Sequence, residues 1–433
     1  MVKRIHEIRD PIHNFIRIDS TERKVLDSRP FQRLRYIHQL GLTYLLYPGA
    51  THRRFEHSLG VMELASRVYD IVTEPTNIFH DSVREIIPDD YGLQYWRRVL
   101  RMAALCHDLG HLPFSHAAEI ELLPEGWDHE RLTVEIIHSE NMENIWSDIK
   151  IKSDDVAKLA VGPKKYKDPK FGEWETILSE IITGNSFGVD RMDYLLRDSY
   201  HAGVAYGKFD HYRLIDTIRI LPKTEDGSVE PALGIEEGGL HSAEALLLAR
   251  YFMYTQLYFH PVRRIYDIHL RDFLKEWLPD GYFHTAIQDH LRLNDNEVLT
   301  ALFKASENEK LKGYDSARRI INRDHFKLIY ERNPRDIEKN PDVAKAVFHA
   351  ACKQFGEQNV RFDSYRQTSQ GHDFPVITGD KRILSSLELS DPLKMFPIVA
   401  VDYVFINPEF RKEAEKWKEQ NLKTIIMLKK EGK

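Results

Sequence analysis

The sequence predicts a mainly α protein with a short N-terminal β hairpin and a small C-terminal α+β region. Apolar residues recur at helical spacing through most of the first 280 positions, strand-type runs gather towards the two ends, and Gly and Pro cluster where the pattern changes. With 433 residues, 42% of them hydrophobic and 30% charged, the chain is long enough for one large core or for two to three domains and lies outside the disordered class.

Between Asp10 and Asp19, the residues Ile12, Phe15, Ile16 and Ile18 are bracketed by Pro11 and Asn14, which marks a short strand or hairpin. Helical periodicity follows. Ser58 to Val72 puts Leu59, Met62, Leu64, Ala65, Val68 and Tyr69 near one face, and Tyr95 to His107 does the same with Trp96, Val99, Leu100, Ala103 and Leu105. Further helices are expected at Glu130 to His138, Glu173 to Ile182, Arg191 to Ser199 and Tyr212 to Ile220. Gly238 and Gly239 precede a long helical run from Ala243 to Trp277, and a second helical group extends from Pro279 to about Phe355. Val360 to Ser364, Pro375 to Thr378 and Phe396 to Asn407 are β-rich or mixed, so the expected division is a core at 1–280 and a helical and α+β region at 281–433.

A formal charge of −6 gives no global basic field, so nucleic-acid binding is only weakly supported and would need a local patch. The Lys-rich stretch from Lys412 to Lys433 offers one. Its glutamates, and the spacing of Phe410, Ala414, Trp417 and Leu422, favour a solvated surface helix instead. Two cysteines, Cys106 and Cys352, make a disulfide framework improbable and fit a reducing compartment. No apolar run approaches the ~20 residues that span a bilayer, and Met1-Val2-Lys3-Arg4 leads into charged residues, so a cytoplasmic location without membrane contact is expected.

Chemistry concentrates in two clusters, Arg53-Arg54-Phe55-Glu56-His57 and Cys106-His107-Asp108-Leu109-Gly110-His111. Adjacent helical residues diverge by ~100°, so His107 and Asp108 share an ion only where a helix ends and opens, and Gly110 supplies that end. A helix C-terminus also favours a cation. His57 adds a remote imidazole, and Asp190, in Gly188-Val189-Asp190-Arg191-Met192-Asp193-Tyr194, is the best candidate for the remaining carboxylate. Two neutral imidazoles and two carboxylates balance a divalent ion and suit Mn, Fe, Ni, Zn or Co better than Ca. An adjacent His-Asp pair alone is weak, since it arises often by chance. His111, His116 and His129 in neighbouring compact segments reverse the odds. His116 and Glu119 stand one helical turn apart, where a carboxylate can orient an imidazole for general acid/base work; a surface His-Glu pair is the bland alternative.

The strings Phe31-Gln32-Arg33-Leu34-Arg35-Tyr36-Ile37-His38-Gln39-Leu40-Gly41 and Tyr47-Pro48-Gly49-Ala50-Thr51-His52-Arg53-Arg54-Phe55-Glu56-His57-Ser58-Leu59-Gly60 closely resemble the HD-domain deoxynucleoside triphosphate triphosphohydrolases, the family of the SAM-and-HD-domain protein and bacterial dGTPases. The resemblance covers about Asp10 to Leu270 and implies an HD-domain helical core. It implies a metal set of His57, His107, Asp108 and Asp190, in agreement with the chemical reading, and catalytic roles for His111, His116, Glu119 and His129. Phosphate and sugar contacts are implied at Gln39, Arg54, Arg191, Tyr194 and Asp198, and less strongly at Arg250 and Tyr258. Arg191 stands where a Lys is familiar, exchanging a point charge for a fork. Asp27 and Arg35 match the family's regulatory nucleotide sites whereas Pro261 replaces a basic contact, which puts nucleotide activation in doubt.

The implied activity is metal-dependent hydrolysis of a dNTP to deoxynucleoside and inorganic triphosphate. The cofactor would be one divalent ion (Mn, Fe, Ni, Zn, Co or Mg), with a second Mg accompanying the substrate as an option. A homo-oligomer is implied as well. The alternatives are an HD-type phosphatase or phosphodiesterase on another nucleotide, because a fold does not fix a substrate, or a nucleotide sensor without turnover.

Overall fold

The computed structural model describes residues 5–115, 119–166, 170–225, 228–367 and 373–427. The mainly α class holds, and the chain divides into two compact units whose segments interleave: 1–253, 283–297 and 371–396 form the first, and 254–282, 298–370 and 397–433 the second.

In the first unit, strands β1 (Ile5–Asp10) and β2 (Asn14–Asp19) form the expected hairpin, paired antiparallel with Ile8 opposite Ile16. Asp10 closes its turn by accepting from the backbone N–H of Ile12 and of His13, each at 2.9 Å, while Asn14 takes a positive φ of 64°. Helix α1 (Arg54–Val72) follows, started by Glu56, whose carboxylate accepts from the Arg53 N–H at 2.7 Å. Its stripe of Leu59, Met62, Ala65, Val68 and Tyr69 is buried. Asp89 caps helix α2 (Asp90–Cys106), which lies against α1. Buried Arg101 of α2 forks onto Glu22 at 2.5 and 2.9 Å and donates to the Arg17 carbonyl at 2.8 Å, fastening the hairpin region to the helices.

Helices α3 (His129–Ile137), α4 (Ser153–Val161), α5 (Glu173–Thr183) and α6 (Val189–Ala202) complete the surround. Gly203, in the left-handed region at φ 73°, ends α6. The approach of α6 to α1 is set by Gly60. A Cβ there would lie 1.9 Å from the Asp193 carboxylate and 2.5 Å from the Arg197 guanidinium.

Three expectations change along this stretch of the fold. The helix expected at Tyr212 to Ile220 ends at Thr217, and Ile218 opens a hairpin of β3 (Ile218–Glu225) and β4 (Ser228–Glu236). Ile218, Ile220 and Val229 favour a strand there, and Asp226-Gly227 is the hairpin signal that a helical reading overlooked. The late segment expected in the C-terminal region contributes β7 (Pro375–Ile377) and β8 (Ile383–Ser385) to this same sheet, in the order β3-β4-β7-β8 with β4 and β7 parallel. The long run from Ala243 is also broken. Helix α7 (Leu240–Met253) gives way to a π turn at Tyr254–Tyr258, and α8 (Pro261–Trp277) starts afresh at a proline that cannot continue the ladder.

The second unit is built on a three-stranded sheet with β9 (Ala400–Ile406) between β5 (Lys327–Glu331) and β6 (Val360–Arg366), all antiparallel. Strand β5 interrupts the group read as wholly helical. Helices α9 (Val343–Phe355) and α10 (Arg411–Met427) pack on this sheet, with Ala414 buried and Phe410, Trp417 and Leu422 half-buried as their spacing predicted. No helix among the described residues is long and apolar enough to cross a membrane.

Substituting Gly60→Ala should force α6 away from α1. Overpacking of this kind costs about 1–3 kcal/mol, so urea unfolding should show a lower midpoint with an unchanged slope; a midpoint equal to that of the parent would contradict the packing.

Candidate active site

Three helices of the first unit deliver the site. His57 lies in the first turn of α1, His107 caps the C-terminus of α2, Asp108 follows it, and Asp190 is the second residue of α6. The chain can turn sharply after α2 because Gly110 has no side chain: a Cβ would sit 2.0 Å from the His129 carbonyl. Thr133 locks this approach, accepting from the Gly110 N–H at 2.9 Å and donating to the His107 carbonyl at 3.1 Å.

The expected metal set converges. His57 Nε2 is 3.0 Å from Asp190 Oδ1 and 3.8 Å from Asp108 Oδ2, while His107 Nε2 is 3.3 Å from Asp108 Oδ1 and 3.5 Å from Asp190 Oδ1. Each imidazole is oriented from behind. His57 Nδ1 donates to Asp193 Oδ2 at 2.8 Å and His107 Nδ1 donates to the Ala104 carbonyl at 2.8 Å, which turns both Nε2 atoms towards the carboxylates. His107 Nε2 is buried and has no hydrogen-bond partner among the described residues, the condition of a nitrogen meant for an ion.

The electrostatics fit the same group. Burial disfavours a charged His57, yet hydrogen bonds to Asp190 and Asp193 push its pKa up to about 10, so the surroundings call for positive charge at this spot. Despite burial, Arg54, His107 and His111 hold the Asp108 carboxyl well below the usual carboxylate range. Against its burial, His107 and His57 beside it likewise hold the Asp190 carboxyl below the usual carboxylate range. Two imidazoles and two ionised carboxylates suit a divalent cation.

Asp193 is the residue whose importance the sequence reading missed. Wholly buried, it accepts from His13 Nε2 at 2.7 Å, from His57 Nδ1 at 2.8 Å and from Arg197 Nε and Nη2, at 2.8 and 3.0 Å. Arg197 continues to Asp10 at 2.8 Å, tying the hairpin turn to the site. The spacing Asp190, Asp193, Arg197 on one helical face was the available signal; His13, 180 positions away from Asp193, had none.

Beside this set lies an acid/base group. His111 Nε2 is 3.1 Å from Asp108 Oδ1, and its ring stacks on His129 with centroids 4.1 Å apart and planes at 17°. Glu119 Oε1 accepts from His129 Nδ1 at 2.5 Å and from the His129 N–H at 2.7 Å. These three side chains bring one ligand atom each within 4.8 Å of one another, close enough to hold an ion, while the Glu119–His129 hydrogen bond equally suits proton handling. Burial, Arg54 and His129 push the His111 pKa well down, whereas Glu119 overcomes burial and raises that of His129. The expected partnership of Glu119 with His116 involves a residue outside those described; among the described residues its imidazole partner is His129.

The substrate-contact candidates divide. Arg54 is buried and donates to Asp108 at 2.6 Å and to Ser115 at 2.9 Å. Asp198 is buried and accepts from His52 Nε2 at 2.7 Å, and the Gln39 N–H donates to the His52 carbonyl at 3.1 Å. The Gln39 side-chain oxygen has no hydrogen-bond partner among the described residues. His52, stacked on His201 at 4.5 Å, was not foreseen. Arg191 and Arg250 both reach Asn185, Arg191 at its side chain (3.2 Å) and Arg250 at its carbonyl (3.5 Å), while half-buried Tyr194 sits between them in sequence on α6. Tyr258 ends the π turn in the second unit.

Two family models match the chain, the HD domain over residues 54–197 and the HD associated region over 209–355. The uncharacterized protein YwfO of Bacillus subtilis is 33% identical over 390 residues, covering 85% of this chain and 80% of its own. Human deoxynucleoside triphosphate triphosphohydrolase SAMHD1 is 30% identical over 368 residues, 76% of this chain, and the match spans 55% of the human protein's length. A crystal structure of a hypothetical protein from Aquifex aeolicus superimposes with a TM-score of 0.75 at 34% identity, covering 95% of this chain and 99% of that one. The chain belongs to the HD-domain family, as its motifs indicated, and its His57, His107 and Asp108 bring ligand atoms close enough together that they could hold a metal ion.

Substituting Asp193→Asn leaves His57, His107, Asp108 and Asp190, the four candidate ion ligands, in place but removes the carboxylate behind His57. Divalent-ion affinity measured by titration calorimetry should weaken about 10–100-fold; unchanged affinity would show that Asp193 does not support the site.

Proposed function

We propose that the protein hydrolyses deoxynucleoside triphosphates to deoxynucleoside and inorganic triphosphate. The observation that carries the reading is the shared carboxylate: Asp108 belongs to the ion-type cluster and also meets His111 of the acid/base pair at 3.1 Å, which sets Lewis-acid chemistry beside proton transfer. His57, His107, Asp108 and Asp190 would hold one divalent ion, with Mn, Fe, Ni, Zn, Co or Mg as candidates and a second Mg arriving with the substrate. Such an ion supplies Lewis acidity, lowering the pKa of water and polarising a phosphate oxygen.

The reaction adds a water oxygen to the α-phosphorus, breaks its bond to O5′ and leaves a proton on O5′. His129, kept protonated by Glu119, is positioned to deliver that proton, and neutral His111 beside it to accept one. His116 shares the catalytic assignment as an expectation from the family motif. Arg54, Arg191 and Arg250 would offset charge on the triphosphate, with Gln39, Tyr194 and Asp198 contacting phosphate and sugar. We place the enzyme in the cytoplasm, a reading supported by two cysteines that the described structure leaves free, and propose a homo-oligomer on family resemblance, testable by sedimentation.

Incubation with each dNTP and NTP plus Mn, Mg, Fe or Co, followed by ion-exchange separation, tests the reading. Deoxynucleoside with intact tripolyphosphate is the expected outcome. Orthophosphate, pyrophosphate or nucleotide products would move the enzyme to the phosphatase or phosphodiesterase class, and binding without product would make it a sensor.

Asp108→Ala should lose both bound ion and turnover, whereas His116→Ala should slow turnover with the ion retained; an unchanged His116→Ala rate would remove that residue from the mechanism. The pH profile gives a further check. Glu119 raises the His129 pKa, so protonated His129 is lost as pH rises through that raised value. Glu119→Gln should therefore move the alkaline limb of kcat to lower pH, and a limb that stays in place would exclude His129 as the proton donor.

A further inference from the structure

We propose that Asp295 is a positioning residue of the active site, holding Arg54 against Asp108 through two chain segments that it joins. Asp295 is fully buried and lies more than 180 positions from the residues it would serve. Its Oδ2 accepts from the His38 N–H at 2.7 Å and from His38 Nδ1 at 2.6 Å, and its Oδ1 accepts from the Phe114 N–H at 2.7 Å. One carboxylate therefore bridges the segment around His38 to the turn at Phe114–Ser115.

Each segment carries one half of a contact that reaches Asp108. His38 pairs with Arg53, and the Arg54 N–H donates to the Ile37 carbonyl at 3.0 Å, so the first segment fixes where α1 starts and where Arg54 leaves it. On the second, Phe114 and Ser115 are consecutive non-glycine residues in the left-handed region, at φ 58° and 61°. Such a conformation persists only where its surroundings over-determine it. Asp295 supplies a backbone acceptor for Phe114, and the His38 ring stacks on the Phe114 ring at 5.9 Å and 7°. Gly41, itself at φ 54°, lies against the Phe114 carbonyl, where a Cβ would come within 3.1 Å.

Held in this way, Ser115 Oγ donates to the His38 carbonyl at 2.9 Å and accepts from Arg54 Nε at 2.9 Å, and Arg54 Nη1 donates to Asp108 Oδ2 at 2.6 Å. The path from Asp295 to Asp108 is continuous: carboxylate, strained turn, hydroxyl, guanidinium, ligand carboxylate. An Asn at 295 would present an N–H to one of the donors and release one of the two segments.

The inference rests on the reading of Asp108 as an ion ligand in a hydrolase, so its test has a spectroscopic arm as well as a kinetic one. Full-length parent, Asp295→Asn, Ser115→Ala and the double variant are loaded with cobalt(II) chloride, and the visible d–d bands, dNTP kcat and KM are recorded. Each single variant should keep one equivalent of cobalt, shift the bands in the same direction and lower kcat on the order of tenfold with KM unchanged. The double variant should match the singles, because both act through one contact. Additive losses, or parent bands and parent kcat in Asp295→Asn, would overturn the proposal. Should Asp295→Asn fail to fold, parent-like bands in Ser115→Ala would overturn it alone. A parent protein inactive on dNTPs would defeat the dNTP reading and leave the cobalt bands to decide the role of Asp295.

Discussion

A single buried carboxylate, Asp193, organises the centre of the first unit. Its charge is sustained without water because Arg197 forks onto it and two imidazoles donate to it, and its pKa falls well below the ordinary range despite complete burial, with Arg197 the largest favourable influence. Removing one partner from such a group commonly costs ~3–5 kcal/mol, since a charge is left buried and uncompensated. The arrangement converts that stability requirement into orientation. Asp193 fixes the His57 tautomer, Gly60 gives it room, and Asp10 carries the network out to the hairpin turn through Arg197.

A second constraint is the close turn after α2. Gly110 and Thr133 bring the start of α3 against His107, which places the His129 ring on His111 and so next to Asp108. Two stacked imidazoles resist carrying charge together, and their surroundings resolve the conflict: Arg54 and burial keep His111 neutral, while Glu119 favours the cation on His129. Opposed protonation of neighbouring groups is the usual arrangement for acid/base work at neutral pH. Asp108 thus meets both His107 and His111, linking the two clusters.

Local spacing made much of this legible. His57, His107, Asp108 and Asp190 were expected together because helix ends and ligand chemistry restrict where such residues are useful, and in the structure His57 and His107 lie 3.0 and 3.5 Å from Asp190 and His107 lies 3.3 Å from Asp108. The helices at Ser58, Tyr95, Glu173 and Arg191 were likewise written in their periodicity. Long-range pairing was not. His13, Asp10 and Asp295 reach the centre from distant stretches by contacts that no window on the sequence contains. The hairpin at Ile218 was read as helix because apolar residues at short range satisfy both periods, and Pro375–Ile377 pairs in parallel with a strand more than a hundred residues earlier. The partner of Glu119 shows the same limit: one-turn spacing suggested His116, whereas the fold also supplies His129 across a loop.

The central claim is that Asp193 and Ala104 aim two imidazoles, His57 and His107, at one divalent ion shared with Asp108 and Asp190. X-ray absorption at the cobalt edge of the loaded protein tests it directly. The account predicts an oxygen and nitrogen shell containing two imidazoles, falling to one in His107→Ala; a shell without imidazole scattering, or one unaltered by that substitution, would contradict it.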